Sequence, residues 1–298
     1  MFSDLLINVK RAPNKLKRET LRIPFVKELS EKSYRQTLQR YAASLPKLSA
    51  RNASFVAELE REGVLTTDTE TLSVPATASM LDDVARVVES ARSYSDRNGN
   101  LVDIPQEKLM SHPDIFLWGL NETLLDIVEN YVGMPVLYHG PLLRRNIANG
   151  NTEGLRKWHV DPEDYRMLKI FIYLNDVTIE GGPFEHLSKE VSTKAVRDLN
   201  YISGFISDEY VEHSIAPKSD WVACTGKKNT VVMADTCSLF HRAKPPVTAD
   251  RFSLTFAYTS IQPKGLVGTW KYTRDWWEFI NGKLNQRQRS CLCKKVFL

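Results

Sequence analysis

The stretch LRKWHVD, residues 155–161, decides how this chain is read. Taken as a strand, residues two apart project from one face, so Lys157, His159 and Asp161 line one side and set an imidazole beside a carboxylate. The chain has only six histidines, and this one stands in an apolar, aromatic-rich neighbourhood. Around it lie runs of the same texture: PVLYHGPLL (135–143), MLKIFIYLND (167–176), DWVACTG (220–226), NTVVMAD (229–235) and RFSLTFAYTS (251–260), with Gly, Pro, Asn and Asp between them. Short strands punctuated by turn residues predict an all-β sandwich or barrel. In the second of these runs Lys169, Phe171 and Tyr173 share a face opposite Leu168, Ile170, Ile172 and Leu174. Both sets are largely apolar, so alternation alone leaves open which one faces the interior.

Ahead of Gly133 the periodicity is helical. SEKSYRQTLQRYAASL (30–45), with Ser30 as N-cap, SFVAELEREGVL (54–65) and TASMLDDVARVVESARSY (77–94) repeat apolar residues at three- and four-residue spacings. A polar interval, SYSDRNGNLVDIPQ (93–106), separates them from NETLLDIVENYVG (121–133), a helix that Gly133 ends. Beyond the first β-run, the span 190–211 is too polar for a strand and reads as an excursion over the barrel mouth, and TRDWWEFINGKLNQRQRS (273–290) reads as helical. The expected organisation is one domain over 1–298: a mostly helical cover with the first strand or strands (1–133), a β core (134–260) and a helical C-terminal segment (261–298).

At 298 residues and 42% hydrophobic content the chain can bury one large core. Its formal charge of +4 is small, with acids and bases interspersed, so no nucleic-acid stripe appears and a small-molecule partner is expected. The N-terminal MFSDLLINVKRAPNKLKRET has no apolar run of signal-peptide length and nothing later approaches a membrane span, which predicts a soluble, cytoplasmic protein. The four cysteines form no disulfide framework, and Cys291 and Cys293 read as part of an exposed basic tail rather than a metal site. His112, His139, His186 and His213 read as structural histidines, and Trp276 and Trp277 as packing surface.

His159 and Asp161 become chemically useful when a third ligand reaches them from a distant strand. His241, in DTCSLFHRAKPP (235–246) after the strand NTVVMAD, can complete two histidines and one carboxylate, which leaves one side of an octahedral ion open. Ten residues further on, Arg251 opens RFSLTFAYTS beyond a turn. A guanidinium fork near an open metal face suits a dicarboxylate co-substrate, one end on the metal and the other paired with arginine.

His-x-Asp, a distant His and an Arg ten beyond it resemble the iron(II)- and 2-oxoglutarate-dependent dioxygenases. MLKIFIYLNDVTIEGGPFEHLSKE (167–190) and GKKNTVVMADTCSLFHRAKPPVTADRFSLTFAYTS (226–260) are similar to segments of the phytanoyl-CoA dioxygenase-like group, and the resemblance covers roughly Pro135 to Ser260. It implies a mainly β, double-stranded β-helix (jelly-roll, cupin-like) core with flanking helices. It also implies iron(II) on His159, Asp161 and His241, 2-oxoglutarate on Arg251, and dioxygen as oxidant. Lys157, on the strand face of His159, and Arg144, on the preceding strand, are the candidates for the co-substrate's other oxygens. The small hydroxyl residue common in that group two positions after the second histidine is Ala243 here. Asp161 fills the position that halogenating members of the wider superfamily leave to chloride, so hydroxylation or another C–H oxidation is the expected outcome, on a small metabolite such as a natural-product intermediate. A zinc hydrolase using the same three side chains and a barrel that only binds a ligand are the alternatives; the first gives Arg251 no task, and the complete ligand set argues mildly against the second.

Overall fold

Nine strands carry the site: β1 Val64–Asp68, β2 Leu101–Asp103, β3 Val136–Asn146, β4 Met167–Tyr173, β5 Phe184–His186, β6 Val222–Cys224, β7 Thr230–Asp235, β8 His241–Ala243 and β9 Arg251–Ser260. The computed structural model describes residues 23–91, 99–265, 268, 270–292 and 296–297. A major sheet runs in the order β1-β7-β4-β9-β3-β2 and a minor sheet in the order β6-β5-β8, every pair antiparallel. His159 bridges to His241 at the free side of β8, so the segment around it extends the minor sheet. The chain therefore passes back and forth between the sheets from β3 to β9, which is the winding of a jelly roll, or double-stranded β-helix.

Alternation along β4 sorts the two faces. Leu168, Ile170 and Ile172 are fully buried in the large core with Leu59, Leu124 and Val128, so this face of the major sheet carries the helices Ala50–Glu62 and Glu122–Val132. Both helices end at a glycine in the left-handed region, Gly63 and Gly133, where a side chain would be strained. Lys169, Phe171 and Tyr173 point the other way. Phe171 and Tyr173 pack with Phe184 of β5, which identifies this face as the one turned toward the minor sheet. Behind the minor sheet, Trp158, Leu187, Val211 and Phe240 form a further core beneath the helices Lys189–Asp198 and Asp208–Ser214.

Several expectations need correction. LRKWHVD is not a strand: Gly154–Arg156 is a 3₁₀ turn, and only Trp158 and His159 make bridges, to Ile206 and His241. The cause is Arg156, whose fully buried guanidinium donates to the carbonyls of Asn100, Ile147 and Asn151, and so ties the segment to a neighbouring loop in place of a ladder. Ser30 does not cap a helix, because that helix already starts at Pro24, whose fixed φ suits the first turn; the Ser30 hydroxyl instead accepts from Tyr165. The excursion 190–211 is largely helical, with Ser188 and Ser207 capping its two helices. Cys291 is buried against the main core and so is not part of an exposed tail. Cys293, the N-terminal stretch MFSDLLINVKRAPNKLKRET and residues 92–98, where the third expected helix meets the polar interval, lie outside the described residues. Among the described residues no helix is long and apolar enough to cross a membrane.

His139 sits where β3 breaks register between Tyr138 and Pro141, and its Nε2 lies 2.8 Å from the Thr259 hydroxyl. Burial, with Lys169 nearby, pushes its pKa down to about 4. The unfolded chain binds that proton near ~6.5, so stability is fully present above this pH and is lost as the pH falls toward 4. The full window corresponds to about 3 kcal/mol. Urea titrations should show the margin of the wild type over His139→Gln shrinking between pH 7 and 4.5; a constant margin would remove this assignment.

Candidate metal centre

The bridge between His159 and His241 is the scaffold of the site. Each residue's backbone N–H donates to the other's carbonyl, at 3.0 and 2.9 Å, and the ring centroids stand 4.4 Å apart. Asp161 is anchored by its own N–H on the Thr236 carbonyl at 2.8 Å. One carboxylate oxygen is 3.7 Å from Nε2 of His159 and the other 4.0 Å from Nε2 of His241. One donor atom from each residue lies within 4.8 Å of the others, and all three residues are buried. Donors bonded to one ion at about 2.1 Å stand no more than about 4.2 Å apart, so the side chains close on an ion with a small inward movement.

The tautomers suit an ion as well. Nδ1 of His159 lies 2.8 Å from the Lys157 carbonyl and Nδ1 of His241 lies 3.0 Å from the Leu239 carbonyl. A carbonyl only accepts, so each proton sits on Nδ1 and each Nε2 turns a lone pair toward Asp161. Burial, ahead of the charges around it, lowers the pKa of His159 and, with His159 alongside, pushes that of His241 down to about 3. Burial alone would raise the Asp161 carboxyl, but the Lys169 ammonium, 2.5 Å from Oδ2, holds it well below the usual carboxylate range. Two neutral imidazoles and one carboxylate are thus ready for a cation without losing protons.

Arg251 opens β9 opposite Asn146, and it lines the same cavity of about 90 Å³ as the three donor residues, along with Ser253 and Thr255 from its own strand face. Its guanidinium is buried and donates to the Gly182 carbonyl. Among the described residues no carboxylate pairs with it, and its Nε has no hydrogen-bond partner. Burial, with Arg144 and Arg156 in the vicinity, pushes its pKa down to about 10, which leaves it charged at neutral pH. A buried guanidinium that lines a cavity and has no carboxylate partner suits an anion.

The remaining candidates fall elsewhere. Arg144 lines the cavity but is held in a two-point ion pair with Asp103, at 2.5 and 2.9 Å. Lys157 belongs to the 3₁₀ turn's end and its ammonium pairs with Glu153 at 2.9 Å, so it does not line the cavity. Ala243 does line it and brings no donor. His112 pairs with Asp83, while His186 and His213 hydrogen-bond backbone carbonyls.

Three features escape a reading by motif. Lys169 is a lone charge in an apolar strand, and that oddity was its only signal. The Tyr173 hydroxyl donates to the Cys224 carbonyl and accepts from the Phe184 N–H, both at 2.9 Å, which ties β4 to the minor sheet beside Arg251. Arg242 lies behind His241, its guanidinium 5.0 Å from the Trp158 and Trp221 ring centres, and pairs with Glu185 and Asp208.

No protein-family model matches the chain, and no curated protein matches it. Solved structures do. HygX from Streptomyces hygroscopicus with nickel, 2-oxoglutarate and hygromycin B bound is 16% identical, with 72% of this chain and 88% of that one covered and a TM-score of 0.47. The epimerase SnoN in complex with Fe3+, alpha ketoglutarate and nogalamycin RO is 12% identical, with 72% and 85% covered and a TM-score of 0.48. EctD from S. alaskensis with bound Fe is 18% identical, with 72% and 77% covered and a TM-score of 0.48. At such identities and TM-scores the chemistry of this site is read from its own geometry.

Gly182 shapes the seat of Arg251. It has φ +71°, and a Cβ there would stand 2.5 Å from the Lys244 carbonyl oxygen and the Pro246 nitrogen. Gly182→Ala should therefore destabilise the protein by roughly 1–3 kcal/mol. Thermal melting checks this, and an unchanged midpoint would show that the turn relaxes freely.

Proposed function

We propose that the chain is an iron(II)- and 2-oxoglutarate-dependent oxygenase of the kind its phytanoyl-CoA dioxygenase-like motifs resemble, oxidising a C–H bond of a small organic molecule. The observation that carries this reading is Arg251, a buried guanidinium without a carboxylate partner among the described residues, in the same cavity as the two imidazoles and the carboxylate. A zinc hydrolase would use the three donor residues and leave that cation uncompensated. A dicarboxylate compensates it.

In this reading His159, Asp161 and His241 hold iron(II). When bound, the ion and its co-substrate supply the oxidising power, with dioxygen consumed and 2-oxoglutarate converted to succinate and carbon dioxide. The residues of the chain bind, orient and shield. Arg251 takes the far carboxylate, and Ser253 and Thr255, buried on the same strand face, offer hydroxyls that make up for the one missing at Ala243. Phe171, Tyr173 and Phe184 form an apolar wall that keeps water from the reacting end of the cavity.

The substrate's place is an adjoining cavity of about 360 Å³, which shares Arg144, Lys169, Phe171 and Thr255 with the first. Its other walls combine Leu109, Pro141, Met167 and Trp270 with Gln106, His139 and Glu163, a mixed lining for a small organic metabolite such as a natural-product intermediate.

The test needs no substrate. Protein reconstituted anaerobically with iron(II) should develop a weak visible charge-transfer band when 2-oxoglutarate is added. Arg251→Ala should keep its iron yet need roughly 30-fold more 2-oxoglutarate or beyond, since deleting one partner of a buried charge pair costs about 2 kcal/mol or more. If Arg251→Ala lost its iron while 2-oxoglutarate affinity stayed normal, the role given to Arg251 would be wrong. Absence of the band with zinc retained would favour the hydrolase.

A further inference from the structure

We propose that Lys169 is a positioning residue: it engages one of the two oxygens of Asp161, Oδ2, and so restricts that carboxylate to a single bond with the metal ion. The inference rests on the iron-site reading above and concerns a contact that none of the motifs contains. Nζ of Lys169 lies 2.5 Å from Oδ2 of Asp161. Oδ1 lies 3.7 Å from Nε2 of His159 and Oδ2 4.0 Å from Nε2 of His241, so both oxygens face the donor set and the ammonium engages one of them.

The strand geometry builds this contact deliberately. Lys169 stands at an inward position of β4, in register with Ala234 of β7 on one side and Ala257 of β9 on the other. Two methyl side chains leave the lysine stem room to lie along the sheet, and its ammonium reaches the carboxylate at the stem's end. The backbone of Asp161 is fixed independently by the Thr236 carbonyl, so the carboxylate has little freedom to turn away.

The consequence lies in the count of coordination positions. A carboxylate bound through both oxygens occupies two of them, whereas one bound through a single oxygen leaves three positions free on an octahedral ion. Three free positions are what a chelating 2-oxo acid and a further reactant would need. An ammonium that retains Oδ2 thus keeps the site able to accept both reactants. Outer partners of this kind commonly change metal affinity by about 10–100-fold when removed.

The test uses cobalt(II) in place of iron, with affinity and the visible ligand-field spectrum as readouts for wild type, Lys169→Met and Lys169→Arg. Lys169→Met should change cobalt affinity by about 10–100-fold and alter the spectrum, because the neighbouring ammonium is gone and Asp161 is free to chelate. Lys169→Arg, which keeps a cationic donor, should restore the wild-type spectrum. Lys169→Gln repeats the comparison should the methionine variant fail to fold. A lysine that merely packs would change the melting temperature and leave the spectrum alone, and that result would overturn the proposal. So would an unchanged cobalt site with weakened 2-oxoglutarate binding, which would make Lys169 a co-substrate ligand. Wild-type protein that takes up no cobalt would overturn the metal-site reading and this inference together, whereas a wild-type site that loads normally and is indifferent to Lys169→Met overturns this inference alone.

Discussion

The pair of backbone hydrogen bonds between His159 and His241 is the constraint on which the site depends. It joins a segment that follows β3 to a strand that precedes β9, and nothing in local sequence holds those two pieces together. Directly opposed residues of an antiparallel pair have side chains about 5 Å apart, so a single bridge delivers both imidazoles to one place. The three short strands of the minor sheet matter chiefly because they hold β8 in register for it. The major sheet supplies the opposite wall, with Arg251, Lys169 and Tyr173 entering from the inward positions of β9 and β4.

Charge explains why these groups tolerate burial. Inside a protein an isolated charge is costly, and the structure offsets several of its buried charges locally: Arg242 with Glu185 and Asp208, Lys169 with Asp161. Arg156 and Arg251, both buried, have no carboxylate partner among the described residues; Arg156 is met by the Asn149 amide oxygen and three carbonyls, whereas Arg251 donates to the Gly182 carbonyl and lines a cavity. The stability given up there is intelligible as preorganisation, since the anion that enters finds its donor already placed and already stripped of water.

Much of this was legible in the sequence because it depended on local pattern. Strand β9 begins and ends where RFSLTFAYTS does, and Gly133 closes its helix as expected. The donor residues were marked by His-x-Asp and by the spacing from His241 to Arg251. Other features had no such mark. Strands β5 and β8 are three residues each, too short for alternation to show, and LRKWHVD imitates a strand while Arg156 pulls it into a turn. Lys157 was misleading for the same reason: two-residue spacing shares a face only in extended chain. Lys169 was visible as a charge in an apolar run, yet its meaning came from Ala234, Ala257 and Asp161, which belong to three separate stretches of the sequence.

The two histidines are held differently. Behind His241, Arg242 is clamped between two indole rings and two carboxylates, which ties β8 to β5 and to the helix Asp208–Ser214. Phe205 is 53% exposed and meets the His159 ring edge-on at 5.3 Å, on a loop held through the Trp158–Ile206 bridge. The clamp fixes one donor from behind, whereas the loop 199–207 meets the other through one bridge and one exposed ring, so changes in that loop can be tolerated without disturbing β8.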